Sequence, residues 1–152
     1  GDFYFESYMI QDEDLQEGDL RLLTVDNPLV IPANKNVQIL ITAGDVLHSW
    51  AVPSMGIKTD AVPGRLNETW VNVKEPGTYR GQCSEICGTG HGFMPVVVKV
   101  LPENEFMAWA NEAKNNYAIN EDIQPITSSE NEEELVLSKN DVLKLEFEEN
   151  KL

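Results

Sequence analysis

GTYRGQCSEICGTGHGFMPVVVKV, Gly77 to Val100, is the stretch on which the fold turns. At helical spacing Cys83, Cys87 and His91 would share one face, since each step is four residues. Gly88, Gly90 and Gly92 would interrupt such a helix and Pro95 would stop it. The stretch therefore reads as a loop between two strands, with Cys83 closing GTYRGQC (Gly77 to Cys83) and Met94 opening onto PVVVKV (Pro95 to Val100).

Working outward, more β-rich runs follow the same pattern: LRLLTV (Leu20 to Val25), VQILITA (Val37 to Ala43), HSWAVP (His48 to Pro53) and ETWVNV (Glu68 to Val73). Turn formers separate them, among them Asp26, Asn27 and Pro28, Gly44 and Asp45, Pro63 and Gly64, and Glu75, Pro76 and Gly77. In ETWVNV, Thr69, Val71 and Val73 alternate with Trp70 and Asn72, as in a half-buried strand. Short strands at regular spacing predict an all-β sandwich or barrel spanning residues 20–101, led by an N-terminal segment, 1–19, that is polar and acidic from Gln11 to Asp19. The period then changes. PENEFMAWANEAKN predicts one short packing helix over 102–115, with Phe106, Trp109, Ala110 and Ala113 on one face. An acidic extension occupies 116–152, in which Leu135 to Leu137 and Val142 to Leu145 are candidate segments for docking on a partner.

The 152 residues suit a single domain with appendages, and the hydrophobic fraction of 41% is enough for a core. Twenty-six acids against eleven bases give a net charge of −15, which disfavours nucleic acid and anionic membranes and favours a basic protein or cations. No run approaches the ~20 apolar residues of a membrane span, and the first ten residues lack the basic start and apolar core of a signal peptide.

Both cysteines of the chain, one of its two histidines and one of its four methionines fall between Cys83 and Met94. The second histidine, His48, opens another strand, whose end can reach the same rim. Two thiolates and two imidazoles would saturate a tetrahedral zinc. Soft sulfur donors beside imidazole equally suit copper, and a single blue copper would use only one of the two cysteines. Two coppers bridged by both thiolates would use them all, one imidazole to each ion, with Met94 and a loop carbonyl such as that of Glu85 in weak axial positions. A disulfide is the weakest reading, because so short a loop returns little stabilisation. Zinc, copper and a plain pair of thiols stay open on these residues alone.

The flanking text narrows the choice. DVLHSWAVPSMGIKTDAVPGRLN (Asp45 to Asn67) and YRGQCSEICGTGHGFMPVVVKV (Tyr79 to Val100) closely resemble subunit II of cytochrome c oxidase, in its domain with the binuclear copper centre CuA. SYMI (Ser7 to Ile10) and LRLLTVDN (Leu20 to Asn27) extend the resemblance to roughly residues 3–110, and Ser7 to Ile10 looks mitochondrial in type. It implies a cupredoxin-like Greek-key β-sandwich. It assigns His48, Cys83, Cys87, His91, Met94 and the Glu85 carbonyl to two copper ions, and the Glu85 carboxylate to a magnesium shared with the catalytic subunit. Asp45 falls where the family carries an acid facing cytochrome c. Trp50, Asp60 and Arg65 lie in matching text, and for Trp50 a core role is the stronger expectation. The function implied is electron transfer from cytochrome c to catalytic subunit I within the oxygen-reducing, proton-pumping complex of the mitochondrial inner membrane, with this domain in the intermembrane space. The bacterial periplasm is the alternative. The family begins with two membrane helices, which this sequence does not include, so a fragment or a subunit divided between two polypeptides is expected. The acidic extension has no counterpart in the family pattern.

Overall fold

In the computed structural model, residues 3–117 and the backbone of 144–146 are described. β1 (Leu29–Pro32) is buried at all four positions, as befits a strand covered on both faces. β2 (Val37–Ile41) alternates: Val37, Ile39 and Ile41 are buried while Gln38 and Leu40 are half-buried. β3 (His48–Val52) runs through a short 3-10 turn into β4 (Ile57–Ala61), pairing antiparallel from His48 opposite Ala61 to Val52 opposite Ile57. β5 (Asn67–Val71), β6 (Gly77–Gln82) and β7 (Pro95–Leu101) complete the body.

The strands form a sheet in the order β1-β7-β6, with β1 parallel to β7, and a second sheet in which β5 pairs antiparallel with β2. The β3–β4 hairpin completes the set. Inward-facing Ile31, Val37, Ile39, Val52, Val98 and Val100 meet in the core, each at most 1% exposed. Burying each such side chain contributes roughly 1.5–3 kcal/mol. Trp50 packs against this cluster from its margin, in keeping with the core role expected for it. Val71 and Val73 are buried while Trp70 and Asn72 face solvent, as the alternation in ETWVNV requires.

LRLLTV is not a strand. Leu22 has φ 64°, Leu23 N–H bonds Leu20 O at 3.0 Å, and the Thr24 hydroxyl bonds Leu20 O, so the segment closes into turns. Only Val25 pairs, in an isolated bridge to Met9. The neighbouring run LVIP becomes β1 instead, and IKTDA, whose apolar residues are few, becomes β4 through pairing with β3.

The helix α1 (Glu103–Asn116) follows β7 directly. Phe106 and Ala113 are buried and Trp109 and Ala110 half-buried, on the face the sequence marks. The N-terminal segment closes over it: Phe3 meets Trp109 at 5.7 Å, Phe5 meets Tyr117 at 5.6 Å, and Tyr4 N–H bonds Tyr117 O at 3.2 Å. β8 (Lys144–Glu146) pairs antiparallel with β2, giving the order β5-β2-β8. The candidate docking segment at Leu135 to Leu137 lies outside the described residues, as do Val142 and Leu143 of the other. Among the described residues, no helix is long and apolar enough to cross a membrane.

Candidate metal centre

Three strand ends converge at one pole. Cys83 leaves β6, Met94 precedes β7, and Cys83 N–H bonds Met94 O at 2.9 Å, so the donor loop is closed at its neck by one more rung of the β6–β7 ladder. Ser84 N–H bonds Ser49 O at 3.0 Å, which ties the loop to the strand beginning at His48. Within the loop, Gly88 has φ 120°, a conformation side chains rarely adopt, and its carbonyl accepts His91 N–H at 3.2 Å. A single 3-10 turn, His91–Phe93, then presents the imidazole inward.

The donors fall into two halves. Cys83 Sγ lies 3.9 Å from His48 Nδ1 and 3.3 Å from the Glu85 carbonyl oxygen. Cys87 Sγ lies 3.5 Å from His91 Nδ1 and 3.6 Å from Met94 Sδ. The two sulfurs are 3.8 Å apart, far beyond the ~2.05 Å of a disulfide, and face one another across the middle. All six expected donors are thus gathered: His48, Cys83, the Glu85 carbonyl, Cys87, His91 and Met94. The donor atoms of His48, Cys83 and Cys87 all lie within 4.8 Å of one another.

Burial works against ionising Cys83, but hydrogen bonds with the backbone at Glu85 and Ser49 and with the His48 side chain outweigh it. Its pKa falls from 9.0 to about 7, so this sulfur is primed to act as a thiolate ligand. Asp45 supplies an interaction that spacing alone did not suggest. Its Oδ1 sits 2.7 Å from His48 Nε2, and this hydrogen bond, more than any other contact, holds the carboxyl below its usual range. With the carboxylate accepting, Nε2 carries the hydrogen and Nδ1 keeps its lone pair toward Cys83. An Asp in a turn three residues before a ligand-type histidine is the signal that could have revealed it. The Asp45 side chain is still 45% exposed, so the same acid also faces outward.

Asp60 and Arg65, also singled out by the sequence, are not among these donors. Asp60 stands opposite Ser49 on β4, and its backbone oxygen accepts the Asn67 side-chain amide at 2.6 Å. Arg65 is exposed and closes a turn to Val62. The Glu85 residue is half-buried.

The family model for cytochrome c oxidase subunit II, periplasmic domain, matches residues 1–101. The chain belongs to the cytochrome c oxidase subunit II family. It is 54% identical over 111 residues to cytochrome c oxidase subunit 2 of Phytophthora megasperma, covering 73% of this chain and 42% of that protein. To the probable subunit 2 of Rickettsia prowazekii it is 57% identical over 116 residues, covering 76% of this chain and 37% of that protein. The chain therefore spans less than half the length of these subunit II relatives. The crystal structure of the periplasmic domain of subunit II of cytochrome oxidase of Bradyrhizobium japonicum superposes with a TM-score of 0.71 at 46% identity, covering 78% of this chain and 82% of that one. The fold is therefore the cupredoxin-like sandwich of subunit II, as the resemblance implied. A second similar structure, with a TM-score of 0.67, 44% identity and coverage of 78% and 80%, holds subunit II of cytochrome c oxidase in a mixed disulfide with a thioredoxin-like protein.

Proposed function

We propose that this domain holds two copper ions between Cys83 and Cys87 and serves as the electron-entry centre of a cytochrome c oxidase. It would take single electrons from reduced cytochrome c and pass them to the haem-containing catalytic subunit, where oxygen reduction is coupled to proton pumping. The observation that carries this reading is the division of donors: two facing sulfurs, each with its own imidazole and its own weak donor. In one tetrahedral zinc site all four ligand atoms would lie within about 4 Å of one another. Here the mutually close set contains His48, Cys83 and Cys87, and His91 stands outside it. A fourth ligand nitrogen outside that set favours two ions over one.

Copper in this site would supply one-electron exchange, with the charge spread over both ions through the shared sulfurs. The chain's own part is to hold the donors still, so that little rearranges when the charge changes. The 2.7 Å contact of Asp45 fixes the His48 ring, and the backbone bonds from Cys83 and Ser84 fix the loop's neck. Leu47, Ile86 and Phe93, beside the ligands in sequence, are 49%, 74% and 55% exposed. They offer an apolar rim that a partner subunit would cover, excluding water. The half-buried Glu85 would turn its carboxylate toward a magnesium ion shared with that subunit, with its carbonyl kept for copper. Asp45 and the acidic surface would guide cytochrome c.

Relatives are named from an oomycete and from bacteria, so the reading accommodates either the mitochondrial intermembrane space or a bacterial periplasm. The two membrane helices of the family would lie in a preceding segment or on a separate polypeptide. Residues 20–101 would be the copper domain, with 1–19 leading into it, 102–115 packing against it and 116–152 as an extension. Both sulfurs must be reduced to bind copper, and the mixed-disulfide relative supports a thioredoxin-like protein as the reductant.

The test is copper loading of the metal-free chain. Two ions per chain, a purple mixed-valence spectrum and the hyperfine pattern of one electron shared between two coppers are expected. A single copper, or tight colourless zinc with no copper uptake, overturns the reading.

A further inference from the structure

We infer that Gly81, which supplies no ligand, is a positioning residue: its missing side chain lets β6 approach β3 closely enough for Cys83 and His48 to hold one metal ion between them. The inference rests on the copper reading above. A Cβ built at Gly81 would lie 1.7 Å from the Ala51 carbonyl oxygen, 2.7 Å from the Ala51 carbonyl carbon and 2.9 Å from Val52 Cα. All three obstacles are backbone atoms of β3, so no side chain can swing aside. Even the smallest side chain must drive the two strands apart by at least about 1.3 Å to bring that contact to 3.0 Å.

The position of Gly81 makes that separation consequential. It lies two residues before Cys83 on β6, and Ala51 lies three residues after His48 on β3. Just beyond Cys83, Ser84 N–H bonds Ser49 O at 3.0 Å. The strands are therefore pinned on both sides of Cys83, by close approach at Gly81 and by a hydrogen bond at Ser84, and both pins grip β3 within three residues after His48. A sulfur and an imidazole nitrogen can share one ion only if they lie within the sum of the two bonds, about 4.3 Å for typical metal–sulfur and metal–nitrogen lengths. Cys83 Sγ and His48 Nδ1 are 3.9 Å apart, inside that limit by less than the displacement a side chain at Gly81 would force. The other loop glycines behave differently. A Cβ at Gly90 would meet nothing within 4 Å, although Gly90 adjoins His91.

The experiment compares wild type, Gly81→Ala and Gly90→Ala as full chains, titrated with copper from the metal-free state under a competing chelator. The expected result is a Gly81→Ala protein that is folded by circular dichroism but binds copper at least about tenfold more weakly, with isolated cupric signals replacing the shared-electron pattern. Gly90→Ala should match wild type. A Gly81→Ala chain that takes up two coppers with wild-type affinity and an unchanged hyperfine pattern overturns the inference. In metal-free wild type, amide exchange at Ser84 reads the same clamp without any substitution. Slowing of about 100-fold relative to an unstructured chain is expected, and unprotected exchange there overturns the inference. Failure of wild type itself to load copper would instead refute the reading of the site, which the Ser84 measurement does not depend on.

Discussion

At the residue scale the site depends on contacts made behind its donors. Asp45 holds His48 Nε2 at 2.7 Å while Nδ1 faces Cys83. Replacing Asp45 with Ala should lower copper affinity by about 10–100-fold, since a ring without its outer partner must be ordered by the metal alone. A chelator-competition titration checks this, and an unchanged affinity would leave Asp45 with only its outward role. Cys87 separates the binuclear reading from a single-ion one. Cys87→Ser should abolish the shared-electron signal and leave the sandwich folded, as seen by paramagnetic resonance and circular dichroism on one sample. Far from the pole, Ile39 is fully buried in the core. Ile39→Ala should cost about 2–5 kcal/mol of stability in urea unfolding, through lost transfer energy and the cavity left behind. The donors that the structure gathers were mostly legible at this scale because sulfur and imidazole are rare in the chain and crowd together. The Asp45 contact was not, because an acid in a turn looks the same whether it faces a partner or a neighbouring ring.

Elements were legible where their periodicity was strong. VQILI alternates and is β2; ETWV shows its predicted inward and outward faces in β5; the apolar face of α1 falls where Phe106 and Ala113 place it. LRLLTV misled because its leucines promise a strand, whereas the Leu20–Thr24 hydrogen bonds and the positive φ of Leu22 make turns. The β4 strand has only two buried residues and is made a strand by its partner β3. Trp109 joins α1 to the N-terminal segment through Phe3. Trp109→Ala should lower stability by about 1–3 kcal/mol, with faster amide exchange at residues 3–5 as the sign that the clasp has opened. The β8 strand covers the edge of β2. Leu145→Pro removes a strand amide, so exchange across Gln38 to Leu40 should accelerate without change in copper binding.

For the whole molecule, a net charge of −15 over the full chain and an exposed Asp45 beside the donor pole favour a basic partner. If cytochrome c is the donor, as proposed, its association should slow by about tenfold between low and physiological ionic strength, as stopped-flow measurements would show; a flat salt dependence would remove steering from the account. The described part of the extension, β8, adds an edge strand beside β2. The sequence by itself determined the class of fold, the identity of the donors and the loop that carries them. These follow from local chemistry: glycine and proline forbid a helix, alternation selects strands, and sulfur crowded beside imidazole marks a set of metal-type donors. Only the tertiary structure decided that the donors divide between two facing sulfurs, that Asp45 turns back onto His48, and that β3 and β6 touch at Gly81. The first and last depend on how strands far apart in the chain pack around a shared core, and the Asp45 contact depends on how its own turn folds, so residue types and spacing alone do not encode them.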